Sequence, residues 1–284
     1  MKPLHSFILS LALLLGAFGQ SELSATNPDD TRLLHSPAMS QTHIAFIYAE
    51  DLWIANRDGS NPRRLTIDEG VESNPIFSPD GKFIAFSAEY DGNQDIFIVP
   101  AKGGVPKRLT WHPYQDYVCD FSPDGSKVLF ASQRSTFTNR HAQLFTVPIE
   151  GGQIEKLPIP HAFHASYAAN AKTIAYTPIR DRYDQWKNYR GGTQSRIWVY
   201  QVNNHEVVEV PKTAAGSNDS YPVYMGNKLY FISDREGEFN LFSFDPKKKA
   251  VQQHSEFEDF PIIDISAGPD GIIYEQGGYL HTFD

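Results

Sequence analysis

Ile76-Phe77-Ser78-Pro79-Asp80-Gly81-Lys82-Phe83-Ile84-Ala85-Phe86 returns as Asp120-Phe121-Ser122-Pro123-Asp124-Gly125-Ser126-Lys127-Val128-Leu129-Phe130, and this repeat decides the fold. Each copy reads as strand, tight turn, strand, because Asp-Gly favours the positive φ angles of a short hairpin and apolar residues flank it on both sides. The second strand of each copy ends on an aromatic. Followed outward, that aromatic recurs as Phe46, Phe86, Phe130, Tyr176, Phe231 and Tyr274, roughly 40 to 55 residues apart, a period that belongs to propeller blades.

A third strand follows each aromatic: Leu52-Trp53-Ile54, Ile96-Phe97-Ile98, Leu144-Phe145-Thr146, Ile197-Trp198-Val199, Leu241-Phe242-Ser243 and Leu280-His281-Thr282, the last breaking the aromatic column with His281. A fourth runs through Arg64-Leu65-Thr66, Arg108-Leu109-Thr110, Lys156-Leu157-Pro158, Glu209-Val210-Pro211 and, more weakly, Gln252-Gln253-His254. No helical periodicity competes with this pattern. The expected fold is all-β, a six-bladed β-propeller of four-stranded blades over residues 26–284, with the last blade incomplete. Because the first blade already begins with its own inner strand near Arg32 to Ser40, the ring is expected either to close by side-chain contacts or to be the N-terminal part of a longer protein, and the second reading is preferred.

Before the propeller, Lys2 and the apolar run Phe7 to Phe18, followed by Gly19, Gln20, Ser21 and Glu22, form the tripartite pattern of a secretory signal peptide over 1–19, with cleavage between 19 and 25. The run is shorter than the roughly 18 apolar residues a spanning helix needs, so the mature chain is expected to be exported, periplasmic and without a membrane span. Cys119 is the only cysteine, which excludes an intrachain disulfide and thiolate zinc clusters; a small buried hydrophobe is the simpler role. A net charge of −9 argues against a nucleic-acid partner.

No Gly-x-Ser-x-Gly elbow is present, so no catalytic residue is assigned. His161 and His164 lack the helical His-Glu-x-x-His setting, so no metal is assigned either. Asp80, Asp124 and Asp270 precede glycine in turns, which accounts for them without calcium. Gly103-Gly104, Gly151-Gly152 and Gly191-Gly192 lack the strand-loop-helix context of a phosphate cradle, and no cofactor is expected.

The Ser-Pro-Asp-Gly repeat resembles TolB-type propellers and those of tricorn-like and prolyl-oligopeptidase-like enzymes. The insertion Trp186-Lys187-Asn188-Tyr189-Arg190-Gly191-Gly192-Thr193, with Asp51-Leu52-Trp53, Val71-Glu72-Ser73, Tyr230-Phe231-Ile232-Ser233-Asp234 and Gly277-Gly278-Tyr279-Leu280, is similar to the first propeller of the tricorn protease family. That resemblance covers essentially the whole mature chain. It implies a non-catalytic domain of a serine peptidase, serving peptide passage, substrate anchoring and assembly with later domains.

The same resemblance implies paired arginines between blades two and three as an anchor for a peptide carboxylate, but the loop here, Trp111 to Tyr117, contains none. The candidate rim is therefore Arg134, Arg140, Arg180, Arg182, Trp186, Tyr189 and Arg190, where guanidinium groups could grip carboxylates beside aromatic faces. Alternatively, Arg190 and Trp186 brace the loop or pack on a later domain. The expected partners are peptides or later domains of the same peptidase, with a homo-oligomer left open. The rival function is a stand-alone TolB-like propeller acting as a periplasmic protein-binding module.

Overall fold

The Ser-Pro-Asp-Gly turns build their own hairpins. Ser78 Oγ donates to Asp80 Oδ1 at 2.7 Å and accepts from Phe83 N–H at 3.0 Å, while Asp80 Oδ1 accepts from Lys82 N–H at 3.1 Å. Gly81 supplies the φ of +70° that closes the turn, and Ser122, Asp124 and Gly125 repeat the arrangement with a φ of +72°. The Lys82 ammonium, with the Ser78 hydroxyl and Lys82 N–H, holds Asp80 down to about 2, and the Ser122 hydroxyl and the Ser126 donors do the same for Asp124.

The computed structural model describes residues 31–138, 140–179 and 186–284; the segment expected to be a signal peptide lies outside the described residues. Six antiparallel sheets follow one another along the chain, each meandering from inner to outer strand. Blade one is His35–Met39, His43–Tyr48, Asp51–Asn56 and Arg63–Arg64; blade two is Glu72–Phe77, Phe83–Ala88, Asp95–Pro100 and Lys107–Arg108. Blade three is Asp116–Phe121, Lys127–Ser132, Gln143–Pro148 and Glu155–Lys156, and blade four is Ala165–Tyr167, Thr173–Tyr176, Trp198–Gln201 and Val207–Glu209. Blade five is Asp219–Met225, Lys228–Ser233, Asn240–Asp245 and Ala250–Gln253, and blade six has three strands, Ile262–Ala267, Ile272–Gln276 and Tyr279–Phe283. Among the described residues no helix is long and apolar enough to cross a membrane.

The core is six apolar wedges, one between each pair of neighbouring blades. The recurrent aromatic sits at their centre: Phe86, Phe130 and Phe231 are fully buried and stack on Phe97, Phe145 and Phe242 at 5.8, 5.7 and 6.0 Å. Burying each such ring contributes about 2–3 kcal/mol. His281 does not break the column, because its imidazole stacks on Tyr274 at 5.3 Å and 22°.

The first and last blades meet through side-chain packing, an ion pair and a backbone hydrogen bond. Met39, Ile44, Phe46 and Ala55 of blade one pack with Ile273 of blade six, Arg57 pairs with Asp270 at 2.7 Å, and Leu33 N–H donates to Gly278 C=O at 3.0 Å. Blade-to-blade closure thus uses the same wedge packing as the other five junctions.

Candidate functional site

The inner strands run in the same direction around one axis, so the chain has a hairpin face, carrying the turns between first and second strands, and an opposite face, carrying the loops between second and third strands and between blades. Along the axis lies a waist of about 60 Å³ to which every blade contributes, including Pro37, Pro75, Cys119, His164, Tyr221 and Asp264. That space holds a few waters. Toward the hairpin face it adjoins a mouth of about 460 Å³, sharing Ile76, Cys119, Val223 and Ser266 with it. The mouth is a size that takes small ligands or a peptide end.

Of the two carboxylates that line this mouth, Asp80 belongs to its hairpin turn and Asp120 to the inner strand of blade three. Asp120 accepts from Phe121 N–H at 2.8 Å, from Tyr167 N–H at 2.8 Å and from Ser166 Oγ at 3.0 Å. Ser166 Oγ in turn accepts from Tyr224 N–H at 3.0 Å, so blades three, four and five meet at this group. Burial raises Asp120 to about 6, against the three hydrogen bonds that favour its anion. Sequence reasoning passed over Asp120, although the signal was present: it stands where the neighbouring copy of the repeat has Ile76. Cys119 beside it is pushed up to about 12, chiefly by burial, and its thiol donates to Phe163 C=O, which suits a packed side chain rather than a nucleophile.

The described rim residues, Arg134, Arg140, Trp186, Tyr189 and Arg190, lie on the opposite face and do not form one cluster. Arg134 is nearly buried, pairs with the buried Asp116, and lies over Phe130 and Phe145 at 5.0 and 5.3 Å. Arg140 is exposed, its backbone N–H donating to Thr138 Oγ1 at 3.1 Å. Arg190 reaches across to blade five, donating to the buried Asp234 Oδ2 at 2.7 Å. Lys187 likewise pairs with Glu238, Asn218 Nδ2 donates to Tyr189 C=O at 3.0 Å, and Trp186 meets Tyr189 edge to face at 5.4 Å. Arg180 and Arg182 lie outside the described residues.

The geometry of the insertion is that of a brace. Arg190→Ala is expected to cost about 2 kcal/mol in urea unfolding, because Asp234 keeps its bonds from Asn218 but loses its counter-ion. An unchanged midpoint would show the loop to be held by other contacts.

The two histidines considered as ligands part company: His161 stacks on His141 at 4.3 Å and His164 on Tyr221 at 4.4 Å. No group of three His, Cys, Asp or Glu side chains converges among the described residues. Ser243 Oγ meets His254 Nε2 at 2.7 Å, but Ser243 is buried and His254 rests on Tyr230 and Phe283, so the pair is placed for packing rather than for attack on a substrate. The opposite face also exposes Ile67, Trp111, Tyr114, Phe137, Trp186 and Phe260.

Comparison with known proteins agrees with this architecture. Tricorn protease homolog 1 of Streptomyces coelicolor is 27% identical over 262 residues, 92% of this chain and 24% of the relative. The tricorn protease of Thermoplasma acidophilum is 26% identical over 265 residues, 89% of this chain and 24% of the relative. The chain therefore spans about a quarter of the length of these curated relatives. In fold it matches the crystal structure of the tricorn protease with a TM-score of 0.79 at 24% identity, over 90% of this chain and 25% of that one. It also matches a putative TolB from Agrobacterium tumefaciens with a TM-score of 0.65 at 17% identity, over 89% and 91% of the two chains. The model of the tricorn protease N-terminal beta propeller domain matches residues 31–284, and the chain belongs to that family.

Proposed function

We propose that this chain is the non-catalytic propeller of an exported tricorn-like serine peptidase, taking up peptide at the mouth of its axial channel and offering its opposite face to later domains of the same protein. The observation that carries this reading is the difference between the faces. The hairpin face opens into a cavity of about 460 Å³ lined by all six blades, a size that takes a peptide end. The other face presents the exposed apolar side chains named above, a surface of the kind that packs against protein. Export is supported by the apolar run from Phe7 to Phe18. The waist of about 60 Å³ favours docking of a peptide end over free passage.

Fluorescence anisotropy of labelled hexapeptides tests this. Ala169→Trp at the mouth is expected to weaken binding at least about tenfold, while Trp111→Ala on the other face leaves it unchanged. The reverse pattern overturns the assignment of faces. The similarity to TolB over nearly the whole of both chains supports a second reading, a self-contained periplasmic module that binds a protein partner. A folded protein captured through Trp111 and Phe137, with no peptide binding at the mouth, would favour it.

A further inference from the structure

We infer that the mouth of the axial channel receives a protonated amine carried by an extended peptide, and that Asp120 is the carboxylate that meets it. This rests on the mouth being a peptide site, and it names the end that goes in.

The residues that line the mouth include two charged side chains, Asp80 and Asp120, and no Lys, Arg or His. Asp80 is committed to its own turn, bound by Ser78 Oγ, Lys82 N–H and Lys82 Nζ, the last at 2.8 Å. Asp120 sits deeper and has no basic partner; all three of its donors are neutral. A carboxylate offers about four lone-pair sites, so the three bonds it accepts leave room for one further donor. With Asp80 paired to Lys82, Asp120 is the uncompensated charge among the described residues lining the mouth, and an ammonium group there gains a charge-assisted bond in a partly desolvated place.

The blade does not require this carboxylate. At the corresponding level of the mouth, blades two, five and six place Ile76, Val223 and Ser266, and their wedges close without one. Nor do the groups around Asp120 compete for the role. Cys119 on its own strand and Tyr167 on the adjoining inner strand are both raised to about 12, so each is neutral near pH 7. Asp124 of the hairpin is anionic, and Lys127 beside it is paired with Glu155. Farther down the axis, His164 in the waist is stacked on Tyr221.

With Asp120 ionising near 6, binding of the amine rises from pH 5 to 7, then falls above about 8 as a peptide α-amine loses its proton. The opposite slope, or none, overturns the assignment.

The experiment uses three C-terminally labelled alanine-rich hexapeptides in anisotropy titrations: one with a free amino terminus, one acetylated, and one acetylated but beginning with lysine. Acetylation is expected to weaken binding about tenfold or more. If the lysine peptide recovers the affinity, a side-chain amine serves as well as the terminus; if it does not, the α-amine is the ligand. Asp120→Asn is expected to abolish the preference. Because that change also touches the bond to Ser166, Ala169→Lys is the independent variant: it adds a cation at the exposed edge of the mouth and leaves Asp120 with its bonds. It should weaken the free-amine peptide about fivefold or more and spare the acetylated one. Equal binding of free and acetylated peptides overturns the amine assignment but leaves the mouth as a peptide site. Binding of neither overturns both.

Discussion

Arg235→Ala is expected to destabilise the propeller by about 3–5 kcal/mol at neutral pH, because it strands a buried carboxylate. Asp219 opens the inner strand of blade five with its side chain fully buried, and Arg235 donates to its two oxygens at 3.0 and 3.1 Å. The guanidinium is fixed from the other side by Phe231 and Phe242, each 5.2 Å from it, and by Ser233 Oγ, which accepts from Nε at 3.1 Å. Removing it loses the ion pair and the ring contacts together. In a domain of this size the loss corresponds to a fall in Tm of roughly 10 °C or more. Burial already pushes Asp219 up, with Arg235 as the main opposing influence, so the variant should regain part of its deficit as pH falls and the carboxyl takes up a proton. Arg57→Ala is the contrast: its pair with Asp270 is half exposed and should cost under about 1 kcal/mol. Thermal unfolding at pH 5 and pH 7.5 checks both, and a loss below 1 kcal/mol for Arg235→Ala would overturn the account.

The hairpins were legible because the determinants of a tight turn lie within a few residues of one another: Ser78, Asp80 and Gly81 complete their bonds among themselves. The ring of six followed from counting one aromatic column, since each copy must bury the same face against its neighbour. What sequence reading placed differently were the arginines. Arg134 reads as a surface charge in a loop, yet Ser132-Gln133-Arg134 and Ser233-Asp234-Arg235 share a spacing just after the second strand. In both, Ser Oγ accepts from Arg Nε at 3.1 Å, and the guanidinium turns inward to the Asp that opens the blade, Asp116 or Asp219. Blade two carries Glu72 at that opening position and Glu89 where no arginine follows, so its buried acid needs another partner. Such pairings join residues some 18 and 16 apart across two strands, which no local propensity encodes. The channel mouth was hidden for a different reason. Each blade adds only a few residues to it, so it exists only once the ring has closed.

That exchange in blade two sets the sign of a pH effect. Glu72 is fully buried, and its partners are neutral: Leu52 N–H at 3.0 Å, Thr66 Oγ at 3.1 Å and the Tyr90 hydroxyl at 2.5 Å. Burial raises its carboxyl to about 7 from an ordinary 4.5, against these hydrogen bonds. Between those values the folded chain holds a proton that the unfolded chain has released, so stability is greatest below about pH 4.5 and declines as pH rises through about 7. A shift of that size is worth on the order of 3 kcal/mol. Glu72→Gln keeps an oxygen for Leu52 and Thr66 and turns an NH₂ toward Tyr90, whose hydroxyl can accept, while removing the buried charge. It should therefore be more stable than the parent at pH 8 by about 1–2 kcal/mol and nearly equal at pH 5. Glu72→Ala should lose about 2–3 kcal/mol at pH 5, where the parent holds a neutral acid, because the Thr66 and Tyr90 hydroxyls lose their acceptor while Leu52 N–H keeps only Thr66 Oγ. Burial also raises Glu275 to about 7 and gives the parent a background slope of the same sign, so the informative quantity is parent minus Glu72→Gln at each pH, measured by urea unfolding from pH 5 to 8. A glutamine variant less stable than the parent at pH 8 would mean that the three donors hold Glu72 as an anion, and that burial does not dominate its titration.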